Sequence, residues 1–259
     1  MSFIDDVVSV GKSAVGFLSG EGIGASLART ALLGYTLNRI SRSNQPSVTT
    51  DLASSKEIDR TARLQVNPNV DNKLPIVYGQ AQLGGIIIDV QLSTDNKQLY
   101  FVTAISEITG TKKSDNQPSS YNIKNIYING NRVVFDSTGQ VVKYTVDSDS
   151  NIDYSYADLI SIECYSTSST CIVPDGYSYD VSSKRAYNLM PGWDSTYAMA
   201  DTLFAIVKIT YNQDKNLTSI PEVKFHVQNS MTLPSDCVYD YMTNTRYGCG
   251  IDPTEVYYQ

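Results

Sequence analysis

Histidine is almost absent from this chain, which holds a single one, His226, among 259 residues. A Ser-His-Asp triad needs its imidazole beside a nucleophile and a carboxylate, and a common zinc site needs two or three histidines or a pair of cysteines. His226 lies in an alternating segment whose apolar residues, Phe225 and Val227, share the opposite face, as in an ordinary strand. We therefore expect no catalytic residues, no cofactor site and no metal site.

Positive charge and long apolar runs are also scarce. The 20 Lys and Arg residues are outnumbered by 27 Asp and Glu residues, which gives a net charge of −7, and no basic run is longer than Lys112-Lys113. Specific nucleic-acid binding depends on clustered basic residues, so this class is excluded. In the apolar N-terminal region, Lys12, Glu21 and Arg29 interrupt the run of about 20 residues that a spanning helix requires. We expect no membrane span.

The four cysteines are Cys164, Cys171, Cys237 and Cys249, which are spaced too widely for a CxxC metal clip. Cys164 and Cys171 bracket a polar turn, so this pair could close a small disulfide loop. The cysteine density is far below that of a disulfide scaffold, and we therefore favour four reduced thiols over the disulfide.

Tyrosine is abundant, with 19 residues, whereas only 18% of the residues are charged. This balance is typical of β-rich proteins that are extracellular or bound to a particle. Residues 1–45 differ, because apolar residues such as Ile4, Val8 and Val15 recur there at helical spacing. We predict an N-terminal helical arm over 1–45 that packs on a neighbour or on its own domain, followed by a linker over 46–72.

From residue 73 the apolar period changes from 3.6 to 2, which predicts strands. We expect a β domain over 73–229, with residues 147–200 as an insertion and a hairpin turn at Asn129-Gly130. A C-terminal helix and tail follow over 230–259, in which Val238, Tyr241 and Met242 form one apolar face directed at the β domain. The predicted strands are 74–78, 86–92, 98–106, 123–128, 132–135, 140–146, 159–165, 203–211 and 222–227.

Four segments, in order, resemble the central tail-hub or tail-tip proteins of long-tailed bacteriophages. The segment 74–79 (LPIVYG), followed by Gly84 and Gly85, resembles the "PIVYG … GG" opening of that family. Residues 101–107 (FVTAISE) resemble its "AISEG" strand end, and residues 126–130 (IYING) resemble its "IYING" hairpin. Residues 239–251 (YDYMTNTRYGCGI) resemble its "YDLLTNPRYGxGI" helix and turn. Thr245 and Ile108 depart from the family, which often has Pro and Gly at these positions.

The resemblance implies a mainly β fold with α: a tail-tube-like β-barrel hub domain with an N-terminal helical arm and a C-terminal helix. Family members usually continue for hundreds of residues beyond this helix, so the chain resembles the first hub domain only. The implied function is that of a structural, non-enzymatic ring that closes the distal end of the tail tube and connects it to tip or baseplate proteins. The implied location is the virion, after synthesis in the host cytoplasm.

The resemblance also implies the partners and the residues that meet them. The expected partners are two further copies in a homotrimer, the tail tube or a distal tail protein, and other baseplate or tail-tip proteins. DNA would pass through the lumen without specific binding. The residues that we expect at a junction between subunits or with the next protein are Tyr239, Arg246, Tyr247 and Gly248. The glycines that we expect to form structural turns are Gly79, Gly84, Gly85 and Gly130.

Two other classes of function stay open at this point. A β-sandwich adhesin or carbohydrate-binding module would use the Tyr-rich stretch 154–187 to stack on sugars, although the sole tryptophan is Trp193. A hydrolase would use paired carboxylates, such as Asp147 with Asp149 or Asp153 with Asp158. Such pairs in polar loops are usually surface charge, so we favour the structural role.

Overall fold

The computed structural model describes residues 62–63, 73–212, 215, 217 and 220–256. The described part of the chain forms twelve strands and two short helices, which confirms the mainly β class with α. The predicted helical arm and most of the predicted linker lie outside the described residues. In chain order, the elements are β1 (Ala62–Arg63), β2 (Gln80–Leu83), β3 (Ile86–Leu92), β4 (Gln98–Glu107), β5 (Tyr121–Ile128), β6 (Asn131–Phe135), β7 (Val142–Val146), β8 (Ile152–Asp153), β9 (Ile160–Thr167), β10 (Thr170–Ile172), α1 (Ala186–Leu189), β11 (Thr202–Thr210), β12 (Val223–Asn229) and α2 (Pro234–Thr243).

The strands form two sheets. One has seven strands in the order β1-β2-β12-β5-β6-β7-β8, and the other has five in the order β10-β9-β11-β4-β3. All strand pairs are antiparallel except β1 with β2. The sheets are joined along one border, where the amide of Ile162 donates to the carbonyl of Gln140 at 2.9 Å. The likeness of this arrangement to a tail-tube barrel stays a prediction.

The principal core lies between the two sheets and takes side chains from both of them. In β12 the residues Val223, Phe225 and Val227 are buried, whereas His226 between them is half-buried on the other face. This is the alternation that the sequence predicts for a strand with one covered face. Among the fully buried large side chains of this core are Phe101, Ile105, Ile123, Ile126, Ile160 and Leu203.

A second core lies on the outer face of the five-stranded sheet. Tyr165 of β9 stacks on Phe204 of β11 with ring centroids 5.2 Å apart, and both pack with Ala186 and Met190 of the segment after β10. Because both faces of the sheet are covered, six consecutive residues of β4 are buried, including the polar Thr103 and Ser106, instead of every second residue.

Residues 147–200 contribute to the sheets themselves, whereas we expected them to be an insertion. They contain β8, β9 and β10, and β9 lies inside the five-stranded sheet, where it pairs with both β10 and β11. Only the later part of the range, with α1, has the character of a cover on a sheet. The sequence predicts β9 as the strand 159–165, but the polar, Tyr-rich composition around it gives no sign that this strand lies inside a sheet.

Glycines occupy two turns where the backbone demands them. Gly85 has φ +70°, and a Cβ atom there would lie 2.5 Å from Oγ1 of Thr103, so only glycine allows β2 to turn into β3. Asn129 and Gly130 both have positive φ, as the predicted type I′ hairpin requires. Gly79 also has positive φ, and Gly84 is buried beside Gly85.

The cysteines Cys164 and Cys171 lie on neighbouring strands but in different cores. Cys164 belongs to the core between the sheets, and Cys171 belongs to the outer core. Cys171 is opposite Tyr165, and Cys164 is opposite Ile172. Side chains on opposite faces of a sheet cannot approach the distance that a disulfide requires, so the small disulfide loop is excluded.

We predict that reducing agent leaves the stability of the protein unchanged. A disulfide that closes a loop of this size would add roughly 2–3 kcal/mol, and its loss would lower the melting temperature by several degrees. Thermal unfolding with and without dithiothreitol should therefore give the same Tm. A Tm that falls by about 5 °C or more on reduction would contradict the structure.

Candidate interaction site at the C-terminal helix

The predicted C-terminal helix is present as α2. Pro234 occupies its first turn, where the missing amide hydrogen costs nothing, and Asp236 also lies in this turn. After Thr243 the chain turns back along the helix, and the amide of Cys249 donates to the carbonyl of Tyr241 at 2.9 Å. A Cβ atom on Gly248 would overlap that carbonyl oxygen, so glycine is required where the chain crosses the helix.

The orientation of α2 is the reverse of the expected one. Val238 and Tyr241, which we expected to cover the β domain, are 57% and 46% exposed. The buried residues of the helix are acidic instead: Asp236 is 1% exposed and Asp240 is 5% exposed. The prediction is wrong because it followed hydrophobic periodicity, whereas this helix is held by hydrogen bonds to its carboxylates.

Asp240 is the central hydrogen-bond acceptor of the site. Its Oδ2 accepts from the hydroxyl of Tyr78 at 2.7 Å and from the hydroxyl of Tyr247 at 2.6 Å, and its Oδ1 accepts from the amide of Gly110 at 2.9 Å. Burial raises the pKa of both tyrosines above the usual value, and the hydrogen bond and negative charge of Asp240 add to the shift. Both phenols therefore remain protonated donors.

Asp236 lies one turn earlier on the same face of α2 and binds the same loop, which runs between β4 and β5. Its Oδ1 accepts from the amide of Ser114 at 2.8 Å, and its Oδ2 accepts from the Ser114 hydroxyl at 2.5 Å. The spacing of four residues places both carboxylates over the loop. Charge-assisted hydrogen bonds of this kind are stronger than neutral ones, so they fix both the loop and the helix.

A buried polar network connects this loop to the end of β12. Asn229 is fully buried, and its Nδ2 donates to the carbonyl of Val77 at 2.7 Å and to Oγ1 of Thr109 at 2.8 Å. The hydroxyl of Tyr121 accepts from the amide of Thr109 and donates to the carbonyl of Glu107. The loop is thus held from β12 and β5 as well as from α2.

Arg246 ties the turn after α2 to two other segments. Its Nη2 lies 2.7 Å from Oε2 of Glu107, at the end of β4, and its Nη1 lies 3.5 Å from Oδ2 of Asp201. The same Nη2 also donates to the carbonyls of Ile108 and Asp201, at 3.3 and 3.0 Å. Arg246 therefore contacts its own β domain through four acceptor atoms.

The four expected junction residues are brought together at α2, but three of them face the chain itself. Tyr247 binds Asp240, Arg246 binds Glu107, and Gly248 packs on the helix backbone. Tyr239 is half-buried, with Nζ of Lys113 5.4 Å from its ring centroid. The exposed large apolar residues of this region are three others, Leu233, Val238 and Tyr241, which we call the apolar stripe.

Sequence reasoning missed the partners of the helix. The signal that was available is the pair Asp236 and Asp240, four residues apart in an otherwise uncharged helix. Acidic residues at this spacing mark one face, but nothing in the sequence says that this face is buried. The contacts with Tyr78 and Gly110 join residues more than a hundred positions apart, which local patterns do not reveal.

The acidic residues of the hydrolase alternative lie in turns or, for Asp153, at the end of β8. Oδ1 of Asp147 accepts from the amides of Asp149 and Asn151, and Oδ1 of Asp153 accepts from the amide and hydroxyl of Ser155. Hydrogen bonds from Asn151 lower the pKa of Asp147, whereas an acid catalyst needs a raised one. Among the described residues, no group of three or more His, Cys, Asp or Glu side chains is arranged to hold a metal ion. In the described part of the chain, none of the helices has the length and apolar composition that a membrane-spanning helix requires.

The aromatic residues of the adhesin alternative are largely engaged within the chain. Trp193 is half-buried, its indole N–H donates to Asp89 at 2.7 Å, and its ring stacks on Tyr197. The hydroxyl of Tyr177 accepts from the amide of Phe135, and Tyr165 is fully buried. A sugar platform needs an open aromatic face, so these residues serve packing better than stacking on a ligand.

Comparisons with known proteins identify no family for this chain. No protein-family model matches the chain, and no curated protein sequence matches it. One solved chain, from a structure described as the virion of a native gene transfer agent particle, superposes with a TM-score of 0.33 and 14% sequence identity. The match covers 83% of this chain and 38% of the other chain. A superposition this loose carries no argument about fold or function.

We predict that Asp240→Asn destabilises the protein by about 2 kcal/mol, because the amide replaces an acceptor of two phenol hydrogen bonds by a donor. Urea unfolding checks the value. The matched control is Asp194→Asn, whose exposed carboxylate caps a turn and whose loss should cost less than about 0.5 kcal/mol. Equal stabilities of the two variants would show that Asp240 does not hold the helix.

We also predict that Arg246→Ala is destabilising, by about 1 kcal/mol after allowance for the partial exposure of the side chain. The ion pairs with Glu107 and Asp201 are lost together with two hydrogen bonds to carbonyl groups. The measurement is urea unfolding at low and high salt, since screening should shrink the difference between wild type and variant. A difference that does not depend on salt would contradict a charge-based contact.

Proposed function

We propose that the chain is a structural, non-enzymatic component of a bacteriophage tail. In this proposal it forms a homotrimeric hub ring that closes the distal end of the tail tube and connects it to tip or baseplate proteins. It reaches the virion after synthesis in the host cytoplasm. Its neighbours are the tail tube or a distal tail protein on one side and other tail-tip or baseplate proteins on the other.

The observation that carries the proposal is the meeting of three separate resembling segments in one network. Tyr78 comes from the segment 74–79, Glu107 from the segment 101–107, and Asp240 and Arg246 from the segment 239–251. Tyr78 binds Asp240, and Glu107 binds Arg246. Segments that resembled the family only by chance would not be expected to contact one another in the structure. Their contacts support a shared structural unit, in which these residues attach the C-terminal helix to the β domain.

The site itself suits a junction between proteins. Buried carboxylates hold α2 in one orientation, and that orientation turns the apolar stripe of Leu233, Val238 and Tyr241 outward. Apolar and aromatic residues on a rigid support lose little entropy when a partner covers them. We therefore assign the contact with the next tail protein to this stripe. Tyr239, Arg246, Tyr247 and Gly248 support it from behind.

The charge of the chain fits passage of DNA without specific binding. With a net charge of −7, the ring repels a phosphate backbone rather than holding it. A lumen of this character lets DNA pass without trapping it.

The test is complementation of a phage that lacks this gene. We predict that Val238→Lys leaves the purified protein folded, within about 0.5 kcal/mol of wild type, because Val238 is exposed. The charge on the stripe should nevertheless reduce the yield of infectious particles by about tenfold or more, since an apolar contact in an interface core is typically worth more than 1 kcal/mol. Plaque counts and cryo-electron microscopy of the tails measure the effect.

The matched control is Ile152→Lys, which places the same charge on an exposed apolar residue of β8. This variant should assemble normally. If the protein is missing from purified tails of the wild-type phage, the hub proposal fails. If both lysine variants assemble equally well, the assignment of the contact to the stripe fails while the hub proposal stands.

A further inference from the structure

The loop between β4 and β5 is fastened to α2 at the position of Lys113. Asp236 accepts from the amide and the hydroxyl of Ser114, and Asp240 accepts from the amide of Gly110. The amide of Ser114 belongs to the same peptide group as the carbonyl of Lys113. The backbone of Lys113 is therefore fixed relative to the helix by carboxylates that are themselves buried.

Among the residues of this loop and of 234–250, all charges but one are engaged within the chain. Nζ of Lys112 lies 2.7 Å from Oδ2 of Asp115, and Arg246 is held by two carboxylates of its own domain. The two acidic residues of α2 are buried and accept hydrogen bonds from the loop. Lys113 is exposed, and it makes no ion pair with any residue that the structure describes. The one unpaired charge of these segments is thus positive.

Lys113 lies on one flank of the apolar stripe. Its Nζ is 5.4 Å from the centroid of the Tyr239 ring. Because a helix advances by about 100° per residue, Met242 lies between Val238 and Tyr239 around the axis of α2. The surface of the helix therefore runs from Val238 over Met242 to Tyr239, where it ends at the ammonium group of Lys113. The acidic residues of α2 lie on the other, buried side.

This arrangement matches the anatomy of a protein interface. Interfaces commonly have an apolar centre and a polar rim, and charges on the rim select the partner by complementarity. The stripe supplies the centre, and Lys113 supplies a charge on the rim. An ammonium group that is held over a ring, on a loop that is anchored to the helix, loses little freedom when a carboxylate binds it.

We propose that Lys113 selects the partner of the apolar stripe by binding a carboxylate on that partner. The partner is a different tail protein with an apolar surface that covers Val238 and Tyr241. It carries an Asp or Glu beside this surface, on the side of Tyr239. A cation at the rim attracts an acidic residue and repels a basic one. The inference rests on the proposed function, because it takes the stripe to be the contact with the next tail protein.

The experiment complements a phage that lacks this gene with variants at position 113. Lys113→Glu should lower the yield of infectious particles by about tenfold or more, because it places two carboxylates opposite each other. Lys113→Gln should lower the yield by only about two- to fivefold, since an exposed ion pair contributes little. Both purified variants should unfold at nearly the same urea concentration as wild type, because Lys113 is exposed.

The matched control is Lys143→Glu. Lys143 is exposed on β7 and, like Lys113, makes no ion pair with the described residues. This variant therefore undergoes the same change of charge on a different element. Its yield of infectious particles should equal that of wild type.

Selection of revertants identifies the partner. Plaques that recover from the Lys113→Glu phage should carry a second change in the gene of a different tail protein, where an Asp or Glu is replaced by a neutral or basic residue. The same second change should lower the yield when it is combined with the original Lys113. Such a reciprocal pattern shows that the two residues act as a pair.

Two results would overturn the inference. One is an equal yield for Lys113→Glu and Lys143→Glu while Val238→Lys stays impaired, which would leave the stripe as the contact without a selective cation. The other is a set of revertants with changes only in acidic residues of this same chain, which would make a second copy the partner. Absence of the protein from purified wild-type tails is a separate result, since it contradicts the proposed function itself.

Discussion

The carboxylate of Asp240 is the interaction on which the architecture around the C-terminus depends. It is nearly buried, so it needs donors, and it finds them in Tyr78, Tyr247 and Gly110. Leaving any of these donors without a partner would cost free energy that packing cannot return. The position of α2, the course of the loop after β4 and the return of the chain through Gly248 all follow from satisfying this one group.

A second constraint comes from covering the five-stranded sheet on both faces. The seven-stranded sheet covers the inner face, and the segment after β10 covers the outer face, where its Met190 packs with Tyr165 and Phe204 of the sheet. A sheet that is buried on both faces makes stabilising apolar contacts on each of them. This explains why the part of the chain that looks most like a polar insertion also supplies β9.

The sequence predicts most of the longer strands because they have one buried face and alternate accordingly, as β12 does. The predicted strand 74–78 is wrong, since only Ile76 forms an isolated bridge there, and the short strands β2, β8 and β10 are not predicted. The Asn129-Gly130 turn is predictable because its positive φ angles depend only on local chemistry. The orientation of α2 is not predictable in this way, since Asp240 and Tyr78 are distant in the chain and the exposed Val238 and Tyr241 have the pattern of a core face. The roles of Asn229 and Glu107 are equally nonlocal.

The order of strands in the two sheets has a consequence for how the chain folds during synthesis. β4 can pair with β3 soon after both are synthesised, but its other neighbour, β11, is synthesised about a hundred residues later. β5 is separated from its neighbour β12 by a similar number of residues. Until then both strands expose an unpaired edge and apolar side chains. Pairing over such distances in sequence is slow. The ribosome must therefore release nearly the whole domain before both sheets can be completed, and the contact of Tyr78 with Asp240 can form only after α2 has been synthesised.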